Sequence, residues 1–274
     1  MESNKIIKDK KLKLKKDICL LNNINSKYIL EIIFGDLAKN KTLKIVKHNK
    51  KIKDRLEITN KDYKEYSQIK IEIIPAPNIY GKFINIPIDE EKYFYIYFDN
   101  NKERIKNNLL TSKDIIKKIR VVILSPVVSF LGLFEDCECI QSITFTHFYR
   151  NNITNMSRMF SWCRSLKEVN FSIVNSKNVT DMSCMFAGCT SLKKIKFGDF
   201  NTSNVNDMSD MFCSCYSLRE LDVSNFKTNN VIYMNGMFNG CSSLIDLNLI
   251  NFNMNKVINT EDMFNGCPAQ LALK

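Results

Sequence analysis

The stretch VTDMSCMFAGCTSLKKIKF, residues 179–197, decides the fold because its pattern recurs along half of the chain. Met182, Met185, Phe186 and Cys189 lie within eight residues of each other. Such a concentration of sulfur and aromatic groups is typical of a soft-metal site, a redox site or a buried core. The spacing of the same residue types elsewhere in the chain decides among these three.

The residue types of this stretch recur with a period of 26 residues. Phenylalanine occupies one position of the period, and cysteine occupies the position three residues later. The two sets are Phe134, Phe160, Phe186, Phe212, Phe238 and Phe264, and Cys137, Cys163, Cys189, Cys215, Cys241 and Cys267. Repetition at a fixed period of this length indicates stacked repeat units.

Each unit contains a strand-like segment followed by a turn-like segment. Ile195 and Phe197 alternate with Lys194 and Lys196, as in a half-buried strand. Met182, Met185 and Phe186 have the i, i+3, i+4 spacing of one helical face. We expect these predicted helical turns to be capped by Thr180 or Asp181, and to end at the left-handed glycines Gly188, Gly240 and Gly266.

A single unit cannot fold alone, because its few inward side chains cannot offset the conformational entropy of ordering 26 residues. Stacking in register would pair the strands into a parallel sheet and bury the recurring cysteines and methionines as core residues. Ladder cysteines ~4.8 Å apart would lie within the ~4.4–6.8 Å Cα range of disulfides. The lysine-rich N-terminus has no secretion signal, so we expect free thiols. Cys139 and Cys213 are the off-register members of two C-x-C pairs.

These units resemble the BspA-like, bacterial-surface-protein type of leucine-rich repeat, whose units read close to N-V-T-D-M-S-x-M-F-x-G-C-x-S-L-x-x-L-D-L-S-N-F. The stretches that carry the resemblance are NVTDMSCMFAGCTSLKKIKF from Asn178, NVNDMSDMFCSCYSLRELDVSNF from Asn204 and MNGMFNGCSSLIDLNLINF from Met234. The resemblance implies a curved solenoid that binds a partner on its concave sheet, without catalytic activity. We therefore predict an α/β solenoid, a right-handed leucine-rich-repeat coil with a parallel β-sheet and short helical turns, over residues 126–274.

Between the inward residues of each predicted strand lie positions that face outward. The first set is Gln141, Ser142 and Thr144, and the predicted partner-binding residues that follow are Lys167, Glu168, Asn170, Lys193, Lys194, Lys196, Arg219, Glu220, Asp222, Ile245, Asp246 and Asn248. Their identities vary while the inward residues repeat. Solvent exposure alone explains such variation, and a recognition surface for a protein partner of mixed charge is the functional alternative. Trp162, Tyr216 and Tyr233 are alternative anchors at the corners of the repeat.

Residues 26–68 have a helical pattern that begins with SKYILEIIFGDL. This segment is similar to an F-box, although Lys27 and Tyr28 replace the expected Leu-Pro opening. The resemblance implies docking on the adaptor subunit of a cullin-type ubiquitin ligase, through Ile29, Leu30, Ile33, Phe34 and Leu37. A plain helical cap of the repeats is the alternative.

Residues 69–125 contain the β-rich runs IKIEII, KFINI, YFYIYF and IRVVIL, which predict a cap over the first repeat. Residues 1–25 are predicted to be a basic, flexible tail. At the other end, Pro268 interrupts the last unit. We expect that edge to be frayed, truncated or used for oligomerisation.

The chain carries a net charge of +11, and the excess lies N-terminal: residues 1–133 hold 28 Lys and Arg against 16 Asp and Glu. A basic half of this kind permits polyanion binding, but a solvated surface is the simpler interpretation, and nucleic acid is not the expected partner. No nucleophile, phosphate-loop or metalloprotease motif occurs, so we predict neither an enzyme nor a cofactor or metal site. Without an apolar run of membrane-spanning length, a cytoplasmic location is expected.

Overall fold

The computed structural model describes Leu30, Thr42, Leu43, Val46 and residues 49–268. The chain divides into two units, Met1–Ser67 and Gln68–Lys274. The predicted basic tail, residues 1–25, lies outside the described residues.

Two short helices lie wholly within the described part of the first unit. Helix α1 spans Lys50–Arg55 and helix α2 spans Asn60–Tyr66. The Asn49 side chain begins α1, because its Oδ1 accepts a hydrogen bond from the Ile52 N–H at 3.0 Å. Ile52 is buried with Leu30 and Val46 in a small apolar cluster. This cluster fits the apolar spacing from which the helical segment was predicted.

The described residues of the second unit form ten strands. They are β1 (Ile69–Pro75), β2 (Gly81–Lys82), β3 (Phe94–Phe98), β4 (Leu109–Leu110), β5 (Ile119–Ile123), β6 (Ile140–Phe148), β7 (Glu168–Asn170), β8 (Lys194–Lys196), β9 (Glu220–Leu221) and β10 (Asp246–Leu247). A 3₁₀-helix covers Ile88–Tyr93. Of the predicted run KFINI, only its first residue is in a strand.

Six strands form one mixed sheet in the order β3-β5-β1-β6-β7-β8. Strand β1 pairs antiparallel with β5 on one side and with β6 on the other. Strands β6, β7 and β8 are parallel and come from three successive repeats. The β-rich segment before the repeats therefore continues the sheet that the repeats begin.

The predicted fold class is wrong. The sequence pattern predicts an α/β leucine-rich-repeat solenoid, a right-handed coil with one parallel sheet and short helical turns. The main sheet is mixed, because β1, β3 and β5 run antiparallel to their neighbours. Strands β9 and β10 form a separate parallel pair instead of extending it. The described residues 126–268 contain no helix.

The predicted helical turns fail to form for a conformational reason. Cys184 and Gly188 have φ of 53° and 73°, so left-handed residues interrupt any run of right-handed turns. The N–H groups of Met182 and Phe186 donate to the next repeat, at Asp207 (3.0 Å) and Met211 (2.9 Å), rather than back along a helix. The left-handed conformation predicted for Gly188, Gly240 and Gly266 is confirmed.

The 26-residue period nevertheless places equivalent residues next to each other. Six phenylalanine rings form a column from Phe134 to Phe264, with neighbouring centroids 5.3–5.7 Å apart and planes within 10° of parallel. Isolated parallel bridges join Ser129, Asn155, Asp181, Asp207, Tyr233 and Asn259 in succession. Each repeat thus covers the apolar side chains of the one before it.

Buried hydroxyl groups also connect the repeats, at a position that the sequence interpretation overlooked. The Thr202 hydroxyl donates to the Lys227 carbonyl at 3.1 Å and accepts from the Lys227 N–H at 2.7 Å. Ser176 and Thr228 make the same pair of bonds to Asn201 and Asn253. These hydroxyls satisfy backbone groups that would otherwise be buried without partners.

Removing one ring from the phenylalanine column should destabilise the protein in proportion to that ring's burial. Phe186→Ala should lower the free energy of unfolding by about 3–5 kcal/mol, because Phe186 is 0% exposed and stacked on both sides. Phe264→Ala is the matched control, since Phe264 is half-buried and stacks on Phe238. Phe264→Ala should therefore cost clearly less. Urea unfolding measures both variants, and an equal loss in the two would contradict the dependence on burial.

Removing the Thr202 hydroxyl should leave backbone groups of Lys227 without a partner. Thr202→Val should lower the free energy of unfolding by about 1–3 kcal/mol. Thr202→Ser keeps the hydroxyl and has a precedent in Ser176, so it should cost clearly less. Urea unfolding of both variants checks this, and a Val variant as stable as the Ser variant would rule out the proposed hydroxyl role.

Candidate functional site

The outward positions of the repeat strands form a strip on the second unit. We call the set Gln141, Ser142, Thr144, Lys167, Glu168, Asn170, Lys193, Lys194, Lys196, Arg219, Glu220, Asp222, Ile245, Asp246 and Asn248 the exposed strip. Its members from Lys193 onward are all exposed, as is Lys167, and the others are half-buried. Strand alternation explains the arrangement, because inward neighbours such as Val169 and Leu221 are buried.

Parallel pairing places strip residues of successive repeats side by side. Glu168 lies opposite Lys194, and Asn170 lies opposite Lys196. The Lys196 Nζ forms an ion pair with Glu168 Oε1 at 3.3 Å. Farther along the chain, the strip becomes acidic at Asp222 and Asp246. The Asp222 carboxylate accepts hydrogen bonds from the Ser224 hydroxyl and N–H, which lower the pKa of Asp222.

Three cations occupy one position of the repeat along the side of this strip. They are Lys167, Lys193 and Arg219, and we call them the cationic column. The Lys193 N–H donates to the Lys167 carbonyl at 2.9 Å, so these two residues are backbone neighbours. A cavity of about 420 Å³ is lined by Lys193, Ser217, Arg219 and Ser243. The two serines were not among the predicted site residues, although Ser165, Ser191, Ser217 and Ser243 recur with the period.

The expected apolar anchors are all exposed. Ile245 is 56% exposed, Trp162 44%, Tyr216 49% and Tyr233 42%. The Trp162 ring lies so close to Gly188 that a Cβ on that glycine would be 2.6 Å from the ring. The Arg164 guanidinium lies 5.4 Å from the centroid of the indole. Trp162 is therefore held by its neighbours while one side of it remains open to solvent.

The ladder cysteines are buried, except for the half-buried Cys267, and those from Cys163 onward donate hydrogen bonds, which answers the question raised by the stretch 179–197. Cys163 Sγ donates to the Phe134 carbonyl at 2.9 Å, and Cys189 Sγ donates to the Phe160 carbonyl at 3.0 Å. The thiols of Cys215, Cys241 and Cys267 likewise donate to the carbonyl of the phenylalanine in the preceding repeat. Each thiol links its own repeat to the preceding one, so these cysteines have a structural role beyond filling space.

Burial changes the acidity of these thiols. Desolvation raises the pKa of Cys163 and of Cys189 well above the ordinary value. Off the ladder, burial raises the pKa of Cys139 and of Cys184 to about 11. Cys139 Sγ donates to the Lys82 carbonyl at 3.1 Å. Raised pKa values keep these thiols protonated at neutral pH, and protonated thiols are weak nucleophiles and weak metal ligands.

Potential metal-ligating side chains are dispersed over the described part of the chain. Within it, no three His, Cys, Asp or Glu side chains are grouped so that they could hold an ion. The imidazole of His147 lies against the Tyr149 ring, with centroids 4.4 Å apart. All nine cysteines in the described residues are free thiols.

Of the residues predicted to dock an adaptor, only Leu30 is described. Its side chain is 0% exposed and packs with Val46 and Ile52. The other four, Ile29, Ile33, Phe34 and Leu37, lie outside the described residues. The docking surface therefore stays a prediction.

Comparison with known proteins identifies a family for the repeats. The family described as "Mycoplasma protein of unknown function, DUF285" matches residues 128–221 and, in an overlapping second match, residues 154–272. Together the two matches cover more than half of the chain. The chain belongs to this family. The two DUF285 matches begin one repeat period apart, which agrees with the repeat read from the sequence. No curated protein and no solved structure matches the chain.

Among the described residues of this DUF285 protein, none of the helices has the length and apolar character that a bilayer span requires.

The raised thiol pKa values predict a loss of stability in alkali. The folded protein keeps Cys163 and Cys189 protonated, whereas the unfolded chain releases these protons above about pH 9, the ordinary pKa. The stabilisation is present below that pH and declines as the pH rises, by about 1.4 kcal/mol per pH unit for each thiol. Urea unfolding of the reduced protein between pH 7.5 and 10.5 measures the slope.

Two variants separate the thiol contribution from other titrating groups. Cys189→Ala should reduce the alkaline slope by one thiol's share, and Ser191→Ala should leave the slope unchanged. A slope that is the same in Cys189→Ala as in the parent protein would show that this thiol does not carry the effect.

Proposed function

We propose that this DUF285 protein is a non-enzymatic binding module that holds a protein partner on the exposed strip. The observation that carries the proposal is the contrast between the two faces of each repeat strand. Inward residues repeat in kind and are buried in columns, whereas outward residues differ from repeat to repeat and remain in contact with solvent. A surface that varies on a constant scaffold is suited to recognition.

The charge distribution of the strip supports a partner of mixed charge. Lys193, Lys194 and Lys196 make one repeat basic, and Asp222 and Asp246 make the following repeats acidic. A partner with the complementary order of charges would be steered to one register, and wrong registers would bring like charges together. The exposed rings of Trp162 and Tyr216 add anchors of the kind that carry binding energy.

The resemblance to the BspA-like surface-protein repeat supports the same assignment at the level of sequence units. A reducing, cytoplasmic environment would keep the hydrogen-bonded ladder thiols intact. Adaptor docking and polyanion binding through the basic N-terminal half remain the alternatives. Four of the five docking residues lie outside the described residues, whereas 16 of the 28 Lys and Arg of residues 1–133 lie within the described residues 49–133.

A charge-swap experiment tests the proposal. Lys194→Glu combined with Asp246→Lys reorders the charges of the strip without altering the net charge, and both residues are exposed. Quantitative capture from cells of the source organism should identify proteins retained by the parent protein. The double variant should lose at least about tenfold of that retention, because complementary pairs become repulsive ones.

A matched control uses exposed residues outside the strip. Lys177→Glu combined with Asp199→Lys makes the same exchange of charges, and both of these positions are also exposed. This variant should retain the same partners as the parent protein. Equal retention by all three proteins, or no retention above the bare matrix, would refute strip-mediated binding.

A further inference from the structure

The cationic column concentrates positive charge that the described protein does not neutralise. Equivalent residues of neighbouring repeats lie roughly 4.8 Å apart along a parallel ladder, and like charges at adjacent positions are destabilising. The ion pairs among the described residues use Lys118, Arg158, Arg164 and Lys196. Within residues 49–268, no carboxylate forms an ion pair with Lys167, Lys193 or Arg219. Three adjacent cations are therefore available to an anionic group from outside.

The cavity lies between the second and third members of this column. Its lining comprises two cations, Lys193 and Arg219, and two hydroxyl groups, Ser217 and Ser243. A guanidinium offers paired N–H donors that fit a carboxylate, an ammonium adds a point charge, and serine hydroxyls donate further bonds. Its volume of about 420 Å³ falls within the range of sites that enclose ligand groups.

The cavity coincides with an interruption in the backbone ladder. At the neighbouring junctions the same position carries a hydrogen bond: Lys193 N–H to the Lys167 carbonyl, and Ile245 N–H to the Arg219 carbonyl, each at 2.9 Å. The corresponding bond from Arg219 N–H to the Lys193 carbonyl is absent within residues 49–268. In the same range, strand β8 pairs with β7 and strand β9 pairs with β10, but β8 and β9 do not pair with each other. The repeats thus open at the junction where the two cations and two serines meet.

The surroundings of the cavity distinguish among anionic partners. Glu220, Asp222 and Asp246 are exposed on the same strip. A nucleic acid, with uniform negative charge along its backbone, would bring phosphates close to these carboxylates, and the repulsion would oppose binding. A peptide can place acidic residues at the cavity and neutral or basic residues beside the strip carboxylates.

From these observations we infer that the cavity between Lys193 and Arg219 is a carboxylate-binding site for an acidic segment of a protein partner. Arg219 and Lys193 would hold the carboxylates, while Ser217 and Ser243 would donate hydrogen bonds to them. The inference rests on the proposed function and adds to it the chemical class of the bound segment and the residues that select it.

Fluorescence anisotropy with two synthetic peptides tests this site. The probes are a fluorescein-labelled tetraglutamate peptide and its tetraglutamine counterpart, titrated with the full chain at low ionic strength. The parent protein should bind the glutamate peptide at least about tenfold more tightly, because charge-assisted hydrogen bonds form with that peptide alone. Added salt should weaken this binding.

Two double variants locate the binding. Lys193→Gln with Arg219→Gln should reduce affinity for the glutamate peptide at least about tenfold, towards the tetraglutamine value. Lys177→Gln with Lys227→Gln removes the same charge from exposed positions outside both the exposed strip and the cavity and should change affinity by less than about threefold. Circular dichroism and urea unfolding establish that both variants are folded.

Several outcomes would overturn the inference. Equal binding of the two peptides, or equal loss in the two variants, would mean that net charge rather than the cavity attracts the peptide. Tighter binding of a single-stranded oligothymidylate, lost in the Lys193 and Arg219 variant, would assign the cavity to nucleic acid instead. Binding of inorganic phosphate, measured by isothermal titration calorimetry, without binding of the glutamate peptide would assign it to a free anion.

The peptide experiment and the charge-swap experiment share no altered cavity residue. If partners are captured specifically but the glutamate peptide does not bind, the carboxylate site is refuted and the proposed binding function stands. If the glutamate peptide binds at the cavity but capture does not depend on the strip, the proposed function is refuted and the cavity is an isolated anion site.

Discussion

Stacking of equivalent side chains between successive repeats is the constraint on which the rest of this structure depends. The phenylalanine column shows it most directly, with rings from Phe134 to Phe264 at centroid separations of 5.3–5.7 Å. A repeat of 26 residues buries too little apolar surface to offset the entropy of its own ordering, so each repeat needs a neighbour. Through the side chains of these columns, each repeat packs against the next one.

Polar groups follow the same period as the apolar ones, and they fix the register of stacking. The thiol of Cys163 bonds to the carbonyl of Phe134, and the hydroxyl of Thr202 bridges to Lys227. A shift of one repeat against the next by a single residue would break these bonds and place polar atoms in apolar surroundings. The cost of an unpartnered buried polar group makes such shifts unfavourable. Hydrogen-bonding side chains thus specify the register of stacking, which hydrophobic burial alone would leave less defined.

Because the inward side chains hold the repeats together, the outward side chains are not needed for packing. The exposed strip can differ between repeats because its side chains do not decide whether the repeats pack. The cationic column is the clearest case, since adjacent like charges oppose folding slightly and are tolerated by a strongly buried core. The interruption between β8 and β9 adds a local opening to that column. Charge, hydroxyl donors and space therefore meet at one junction of an otherwise regular surface.

The sequence by itself determined the period, the inward residues and the outward strip, because side-chain chemistry that recurs every 26 residues can be read without coordinates. The structure agrees with this assignment of inward and outward positions. Met182, Phe186 and Cys189 are buried, and Lys194 and Lys196 are exposed. Only the tertiary structure decided the backbone path. The i, i+3, i+4 spacing predicted helical turns, but left-handed residues such as Cys184 and hydrogen bonds to the next repeat replaced them. The antiparallel pairing of β1 with β6, the gap between β8 and β9, and the cavity at Ser217 and Ser243 likewise depend on contacts between distant segments, which no local pattern encodes.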